Sequence, residues 1–185
     1  MTQKVIFSGF GGQGIMSAGL ILAEAAVLSD FNVTYFPSYG AEMRGGTANC
    51  HVTISNQEIA SPIITQADSL IAMNKPSLVK FSNIVKENGL IIYDSSVIKE
   101  KVDIKSKEVI EVSADEIALE KLGNPKVANI IILGVYIKKF ICISLEKLKK
   151  AIFEKFKEKG EKLININYKA LELGYSLLDK IKIFK

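Results

Sequence analysis

The first forty residues alternate between apolar segments and short polar turns. Residues 4–8 form an apolar run that ends in glycines, which is typical of a buried strand. In residues 14–29 the apolar side chains recur at helical spacing, and many are small, which predicts a helix packed closely on a sheet. Residues 32–36 predict a second strand. The chain therefore starts with a Rossmann-like β–α unit.

The same alternation continues to the end of the chain. Residues 47–55 alternate apolar and polar positions, which predicts a half-buried strand. Further strands are predicted at 69–73, 90–93 and 109–112. Helices are predicted from Pro76 to a stop at Gly89, from a Ser113/Glu116 capping box to Gly123, and over 126–139, 144–156 and 161–179. Strands that alternate with helices predict one three-layer α/β domain over residues 1–185, with a mostly parallel sheet.

Composition narrows the class of protein further. The chain has 185 residues, of which 48% are hydrophobic and 24% charged, as expected for one soluble globular domain. The longest apolar run, 127–137, is shorter than the ~20 residues that span a bilayer, and no secretory leader is recognisable. Two cysteines and one histidine favour neither a metal site nor an iron–sulfur cluster. We expect a cytoplasmic, metal-free chain.

The net charge of +4 is concentrated in the second half of the chain. Residues 1–92 contain 5 Lys/Arg and 6 Asp/Glu, whereas residues 93–185 contain 19 and 14. Acidic residues are interleaved with these lysines, as on a solvated helix face. We expect neither a nucleic-acid partner nor a membrane partner.

The segment Gly9-Phe10-Gly11-Gly12-Gln13-Gly14 fits the pattern G-x-G-x-x-G between a predicted strand and helix. Such a turn brings backbone N–H groups and a helix N-terminus to an anion, so Gly9, Gly11, Gly12, Gln13 and Gly14 are candidate contacts to an anion. An NAD site also needs an acid at the end of the second strand, where this chain has Tyr35-Phe36-Pro37. The glycines either bind another ligand or only form a tight corner.

A second glycine-rich segment follows the second predicted strand and should lie beside the first. Its candidate contact residues are Tyr39, Glu42, Met43, Arg44, Gly45 and Gly46. Arg44 offers a planar donor fork for carboxylate or phosphate, and the two glycines allow close backbone approach. Alternatively, the opposite charges of Glu42 and Arg44 compensate each other on an exposed loop, and Met43 inserts into a neighbouring subunit. We expect a partner-facing or active-site loop.

Other residues with potential chemistry favour structural roles. His51 should be satisfied or solvent-facing, and Cys50 should be a buried small hydrophobe rather than a nucleophile. Asp94-Ser95-Ser96 is more typical of a turn or cap than of a binding site. Asn124-Pro125 is typical of a helix start. We therefore assign no catalytic residue to this chain.

The two glycine motifs together resemble a known family. The glycine turn, followed by Tyr39-Gly40-Ala41-Glu42-Met43-Arg44-Gly45-Gly46-Thr47-Ala48-Asn49-Cys50, resembles the gamma subunit of 2-oxoacid:ferredoxin oxidoreductases. Within that family, the residues of the second motif are most similar to those of the 2-oxoglutarate and branched-chain 2-oxoacid branches.

The resemblance implies that the chain works within a complex. Such complexes decarboxylate a 2-oxoacid on thiamine diphosphate with Mg, transfer the acyl group to coenzyme A, and reduce ferredoxin or a similar acceptor through iron–sulfur clusters. These cofactors would lie on partner alpha, beta and ferredoxin-like delta subunits, because this chain lacks the matching motifs. The product from 2-oxoglutarate would be succinyl-CoA. Two alternatives remain: a stand-alone nucleotide- or flavin-binding oxidoreductase, and a small-ligand binding module without chemistry.

Overall fold

A computed structural model describes residues 1–38, 47–100, 104, 107–140, 142–180 and 183–184. These residues form seven strands and six α-helices. The strands are β1 Thr2–Phe10, β2 Asn32–Ser38, β3 Thr47–Ser55, β4 Ala67–Ala72, β5 Val85–Asp94, β6 Glu108–Val112 and β7 Ile183–Phe184. The helices are α1 Ile15–Val27, α2 Lys75–Ser82, α3 Ala114–Leu122, α4 Ala128–Lys139, α5 Leu145–Phe156 and α6 Glu161–Leu177.

The strands form one sheet in the order β2-β3-β1-β4-β5-β6-β7. The pairs β1/β4, β4/β5 and β5/β6 are parallel, and β2/β3, β1/β3 and β6/β7 are antiparallel. Five strands therefore point one way, and only β3 and β7 are reversed, which confirms the mostly parallel sheet. The sequence pattern did not predict that β3 lies between β1 and β2.

Helices cover the two faces of the sheet unequally. One face packs against α1, α3, α4, α5 and α6 through the larger apolar core. The other face is covered by α2 and by irregular segments that carry Ile64 and Ile98. The three-layer α/β class is confirmed. Within the described residues, no helix is both long enough and apolar enough to cross a bilayer.

Two local expectations are wrong. The helix that starts near Pro76 does not continue to Gly89, because it ends at Ser82 and β5 begins at Val85. The strand over 47–55 is not half-buried. Thr53 and Ser55 on its polar face are each only 1% exposed, because the chain after β3 folds back over that face and Ile64 N–H bonds His51.

Helices α4 and α6 cross with their backbones in close contact. A Cβ atom at Gly174 would lie only 2.7 Å from the carbonyl carbon of Ile131, and one at Gly134 would lie 2.8 Å from the amide nitrogen of Tyr175. The nearest atoms on both sides belong to backbone. The crossing therefore requires a residue without a side chain on each helix.

Candidate functional site

The glycine turn forms the corner between β1 and α1, at the carboxyl end of β1. Gly12 and Gly14 have φ angles of +97° and +72°, a left-handed conformation that strains other residues. A Cβ atom at Gly9 would lie 2.7 Å from Gln13 Oε1. Gly12 and Gly14 are therefore required by the backbone conformation of the corner, and Gly9 leaves the space that the Gln13 and Ile15 side chains occupy.

Gln13 holds this corner closed. Its Oε1 accepts a hydrogen bond from the backbone N–H of Phe10 at 2.6 Å, and its Nε2 donates to the carbonyl of Met73 at 2.9 Å. Met73 follows β4, the strand next to β1, so the side chain ties the turn to the neighbouring strand end. The Phe10 N–H is thus already bonded within the protein, and Gln13 has a structural role in addition to its predicted contact with a ligand.

The N-terminus of α1 presents its first N–H groups without a side-chain cap, because its N-cap residue is Gly14. Asn129, on the buried helix α4, donates from Nδ2 to the Gly14 carbonyl at 2.9 Å. Asn129 is 6% exposed, and its Oδ1 has no hydrogen-bond partner among the described residues. One helix N-terminus and one unpaired amide oxygen therefore lie together beside the turn.

A second asparagine lies after the next strand. Asn74 follows β4 and caps α2, accepting at Oδ1 from the Ser77 N–H at 2.8 Å. Its Nδ2 is buried and has no hydrogen-bond partner in the part of the chain that the structure describes. The carboxyl ends of β1 and β4 thus carry two helix N-termini and an unpaired amide donor, a combination that suits an anion.

Sequence reasoning did not select these two asparagines. In the sequence, Asn129 is a single amide side chain inside the apolar run 127–137, and Asn74 directly precedes Lys75-Pro76. Both patterns are common in helix caps and packed helices, so neither pointed to a site.

The ends of the second glycine-rich segment lie at the same edge of the sheet. Ser38, the last residue of β2, pairs with Asn49, and Thr47, the first residue of β3, pairs with Phe10. Tyr39, Glu42, Met43, Arg44, Gly45 and Gly46 themselves lie outside the described residues. Thr47 is therefore fixed beside the glycine turn, whereas Ser38 lies one strand further away, across β3.

The polar residues after β5 form a cap. The buried carboxylate of Asp94 accepts hydrogen bonds from the N–H groups of Ser96, Ala114 and Asp115 at 2.9 to 3.2 Å. Ser113 makes no side-chain capping bond, so the predicted capping box is wrong and Asp94 replaces it. Burial, followed by repulsion from Asp94, raises the pKa of Asp115 to about 6. The expectation that Asp94-Ser95-Ser96 is a cap is confirmed.

Cys50 and His51 have the structural roles that the sequence favoured. Cys50 is fully buried, its Sγ lies 3.7 Å from the Ile15 carbonyl, and burial raises the pKa of its thiol to about 12. His51 Nδ1 accepts from the Ile64 N–H at 3.1 Å, and burial lowers its pKa. Neither side chain is poised as a nucleophile or base. Among the described residues, no group of three His, Cys, Asp or Glu side chains could hold a metal ion.

The sequence matches the model of the pyruvate ferredoxin/flavodoxin oxidoreductase family over residues 4–177. It is 41% identical over 175 residues to the ketoisovalerate oxidoreductase subunit VorA of Methanothermobacter marburgensis, covering 92% of this chain and 35% of VorA. The chain thus spans about a third of that relative. It is 31% identical over 183 residues to the 2-oxoglutarate synthase subunit KorC of Methanocaldococcus jannaschii, covering 98% and 96% of the two chains.

A solved structure has the same fold over nearly its whole length. The gamma subunit of a keto/oxoacid ferredoxin oxidoreductase from Geobacter sulfurreducens superposes with a TM-score of 0.83 at 29% identity, covering 96% of this chain and 99% of that subunit. The resemblance seen in the two glycine motifs is thereby confirmed at the level of the family.

Proposed function

Because the chain belongs to the pyruvate ferredoxin/flavodoxin oxidoreductase family as a gamma-type domain, we propose that it acts as the gamma component of a multi-subunit 2-oxoacid:ferredoxin oxidoreductase. Its proposed partners are alpha, beta and ferredoxin-like delta components, with ferredoxin or a similar acceptor for the electrons. Thiamine diphosphate, Mg and iron–sulfur clusters belong to those partners.

One observation carries the assignment of a non-catalytic role. The edge of the sheet with the glycine turn offers helix N-termini and amide groups, but its thiol and imidazole are both committed to the fold. Such an edge can bind and orient an anionic group, and its described residues include no poised nucleophile or base. We therefore expect the isolated chain to be inactive.

The co-substrate that best suits this edge is coenzyme A, whose phosphates are anionic. The N-termini of α1 and α2 carry partial positive charge, and Asn74 Nδ2 adds a donor without a partner in the described structure. Gly12 has open space where a Cβ atom would lie, which leaves room for a phosphate to approach the backbone. The segment 39–46 then serves as a docking loop that meets a partner subunit beside this group.

We propose 2-oxoglutarate as the 2-oxoacid. The residues of the second glycine motif resemble that branch, and the match to KorC covers nearly the full length of both chains. Ketoisovalerate is the second candidate, because the higher identity of 41% is to a subunit named for it. The side chain of the substrate would be recognised largely by partner subunits.

The stand-alone dinucleotide alternative has less support. β3 separates β1 from β2, so the end of β2 lies about 10 Å from β1, whereas the dinucleotide fold places these two strands side by side. The end of β2 also lacks the acid that binds the ribose. We expect calorimetry to give no micromolar dissociation constant for NAD(H).

Co-expression with genes for alpha, beta and delta subunits of 2-oxoacid:ferredoxin oxidoreductases from the same genome tests the proposal. The expected result is a co-purifying complex that reduces a viologen dye only with coenzyme A and a 2-oxoacid, fastest with 2-oxoglutarate among 2-oxoglutarate, ketoisovalerate, pyruvate and indolepyruvate. Faster turnover of ketoisovalerate would select the second candidate. Dye reduction by the isolated chain, or failure to join any complex, would contradict the gamma role.

A further inference from the structure

The side of α1 that faces away from the sheet is apolar where a surface helix is normally polar. The inner side packs on the sheet through residues such as Ala18 and Leu22. The opposite side carries Leu20, Glu24 and Val27, and Glu24 is the one charged residue of the helix. A helix that is apolar on all sides is usually buried on all sides. Val27 is nevertheless 59% exposed, so the described residues leave this side of α1 uncovered.

A groove of about 410 Å³ lies beside the uncovered side of α1. Its other walls are β2 and α5, which contribute Val33 and Ala151. Most of the lining residues are apolar, and the two charged ones are Glu24 and Glu154. Since β2 is the edge strand of the sheet, no described strand lies beyond it to close the groove.

The charge of Glu24 is poorly compensated in this groove. Its Oε2 is buried and has no hydrogen-bond partner among the described residues. Burial raises the pKa of Glu24; attraction from Lys155 only partly opposes that effect, and repulsion from Glu154 adds to it. Glu154 itself is paired with Lys157 at 2.6 Å. A cation supplied by another molecule would compensate the Glu24 carboxylate.

The groove lies close to the segment that we propose to meet a partner subunit. β2 runs from Val33 in the groove to Ser38, where segment 39–46 begins, a span of five residues or about 17 Å. One side of a standard protein interface covers about 800 Å², a patch about 30 Å across. The same partner can therefore cover both the groove and the segment.

A relative also places such a domain beside a larger body of protein. About two thirds of VorA lies outside the part that this chain matches. The matched part of VorA is thus joined to a larger remainder within one chain. A separate partner subunit is the corresponding neighbour for this chain.

We propose that the groove between α1, β2 and α5 is the docking site for an apolar segment of a partner subunit that carries a lysine or arginine opposite Glu24. The apolar side chains of that segment cover Leu20 and Val27, as in the apolar centre of a typical interface. Its cation pairs with Glu24 and fixes the orientation of the partner. The inference rests on the proposed gamma role and names a surface through which the chain joins its complex.

Co-purification tests the proposal, with a tagged form of this chain co-expressed with alpha, beta and delta components. Val27→Lys places a charge on the apolar side of α1 and a resident cation beside Glu24. The recovery of partner components per tagged chain should therefore fall by about tenfold. Glu24→Gln should lower the recovery severalfold and make it less sensitive to salt, because it removes one member of the ion pair.

Val79→Lys is the matched control. Val79 is also an exposed valine on a helix, 54% exposed on α2, and α2 covers the opposite face of the sheet. This variant should recover the partner components as the parent does. Both lysine variants should melt close to the parent temperature, because the side chains that they replace are mostly exposed.

Three outcomes would overturn the proposal. The first is an unchanged recovery with both Val27→Lys and Glu24→Gln, and the second is an equal loss with Val79→Lys. In both cases the parent still recovers its partners, so the gamma role stands. The third is an isolated parent chain that forms a dimer which Val27→Lys dissociates, since a second copy would then occupy the groove. If the parent itself recovers no partner, the gamma role fails and this inference fails with it.

Discussion

Gly174→Ala should destabilise the chain by overlap at the crossing of α4 and α6. The new Cβ would lie 2.7 Å from the carbonyl carbon of Ile131 and 3.0 Å from its Cα, against about 3.5–4.0 Å for an optimal carbon–carbon contact. The helices must therefore move apart by about 1 Å, because backbone atoms cannot rotate away as side chains do.

The magnitude follows from two opposing effects. Overpacking of a well-packed core costs about 1–3 kcal/mol, and a clash with backbone belongs at the upper end. Alanine gains back about 1 kcal/mol over glycine in helix propensity. The net loss in the free energy of unfolding is about 2 kcal/mol, which lowers the melting temperature by about 4–8 °C for a chain of this size.

Urea and thermal unfolding of the purified chain measure this loss. Ser176→Ala, on the exposed side of the same helix, is the control and should change the free energy of unfolding by less than ~0.5 kcal/mol. If Gly174→Ala melts at the parent temperature or above it, the close backbone contact does not exist and the reasoning fails.

Three further predictions concern the cap, the turn and the docking loop. The pKa of Asp115 is raised to about 6, so its contribution to stability is present below about pH 4 and is lost as the pH rises through 6; melting curves should show that decline, and Asp115→Asn should remove it. Gln13→Ala leaves the Phe10 N–H and the Met73 carbonyl without their partner and should cost about 1–3 kcal/mol in urea unfolding; an unchanged midpoint would contradict the role of Gln13 in closing the turn. Arg44→Ala should leave the melting temperature of the isolated chain nearly unchanged but weaken co-purification with partner subunits; unfolding with normal assembly would show that the loop is structural.

Strong local signals predicted most of the elements. The glycine turn after an apolar run located β1 and α1, and strict alternation located β3 at Thr47–Ser55. The pairing of β3 was not predictable, because alternation identifies a strand but not its neighbours. Its polar face is buried by a later segment, through the His51–Ile64 hydrogen bond, and such a contact leaves no local pattern.

The candidate site was predicted only in part. The glycines were found because φ angles of +97° and +72° leave a distinct residue type in the sequence. Asn74 and Asn129 were missed because their importance comes from atoms left without partners after packing. Asp94 replaced Ser113 as the cap of α3 because a neighbouring strand brought a stronger acceptor to the same N–H groups.

The insertion of β3 between β1 and β2 also bears on how such a chain diversifies. Since β2 and β3 are antiparallel neighbours, the segment 39–46 connects two adjacent strand ends rather than crossing the sheet. A change in the length of such a connection has little effect on the strands, since each doubling of loop length costs only about 0.6 kcal/mol in closure entropy. The fold therefore separates the element that would select a partner from the elements that determine stability. Exchanging this one connection between chains of the same fold is a route by which one sheet could join different assemblies.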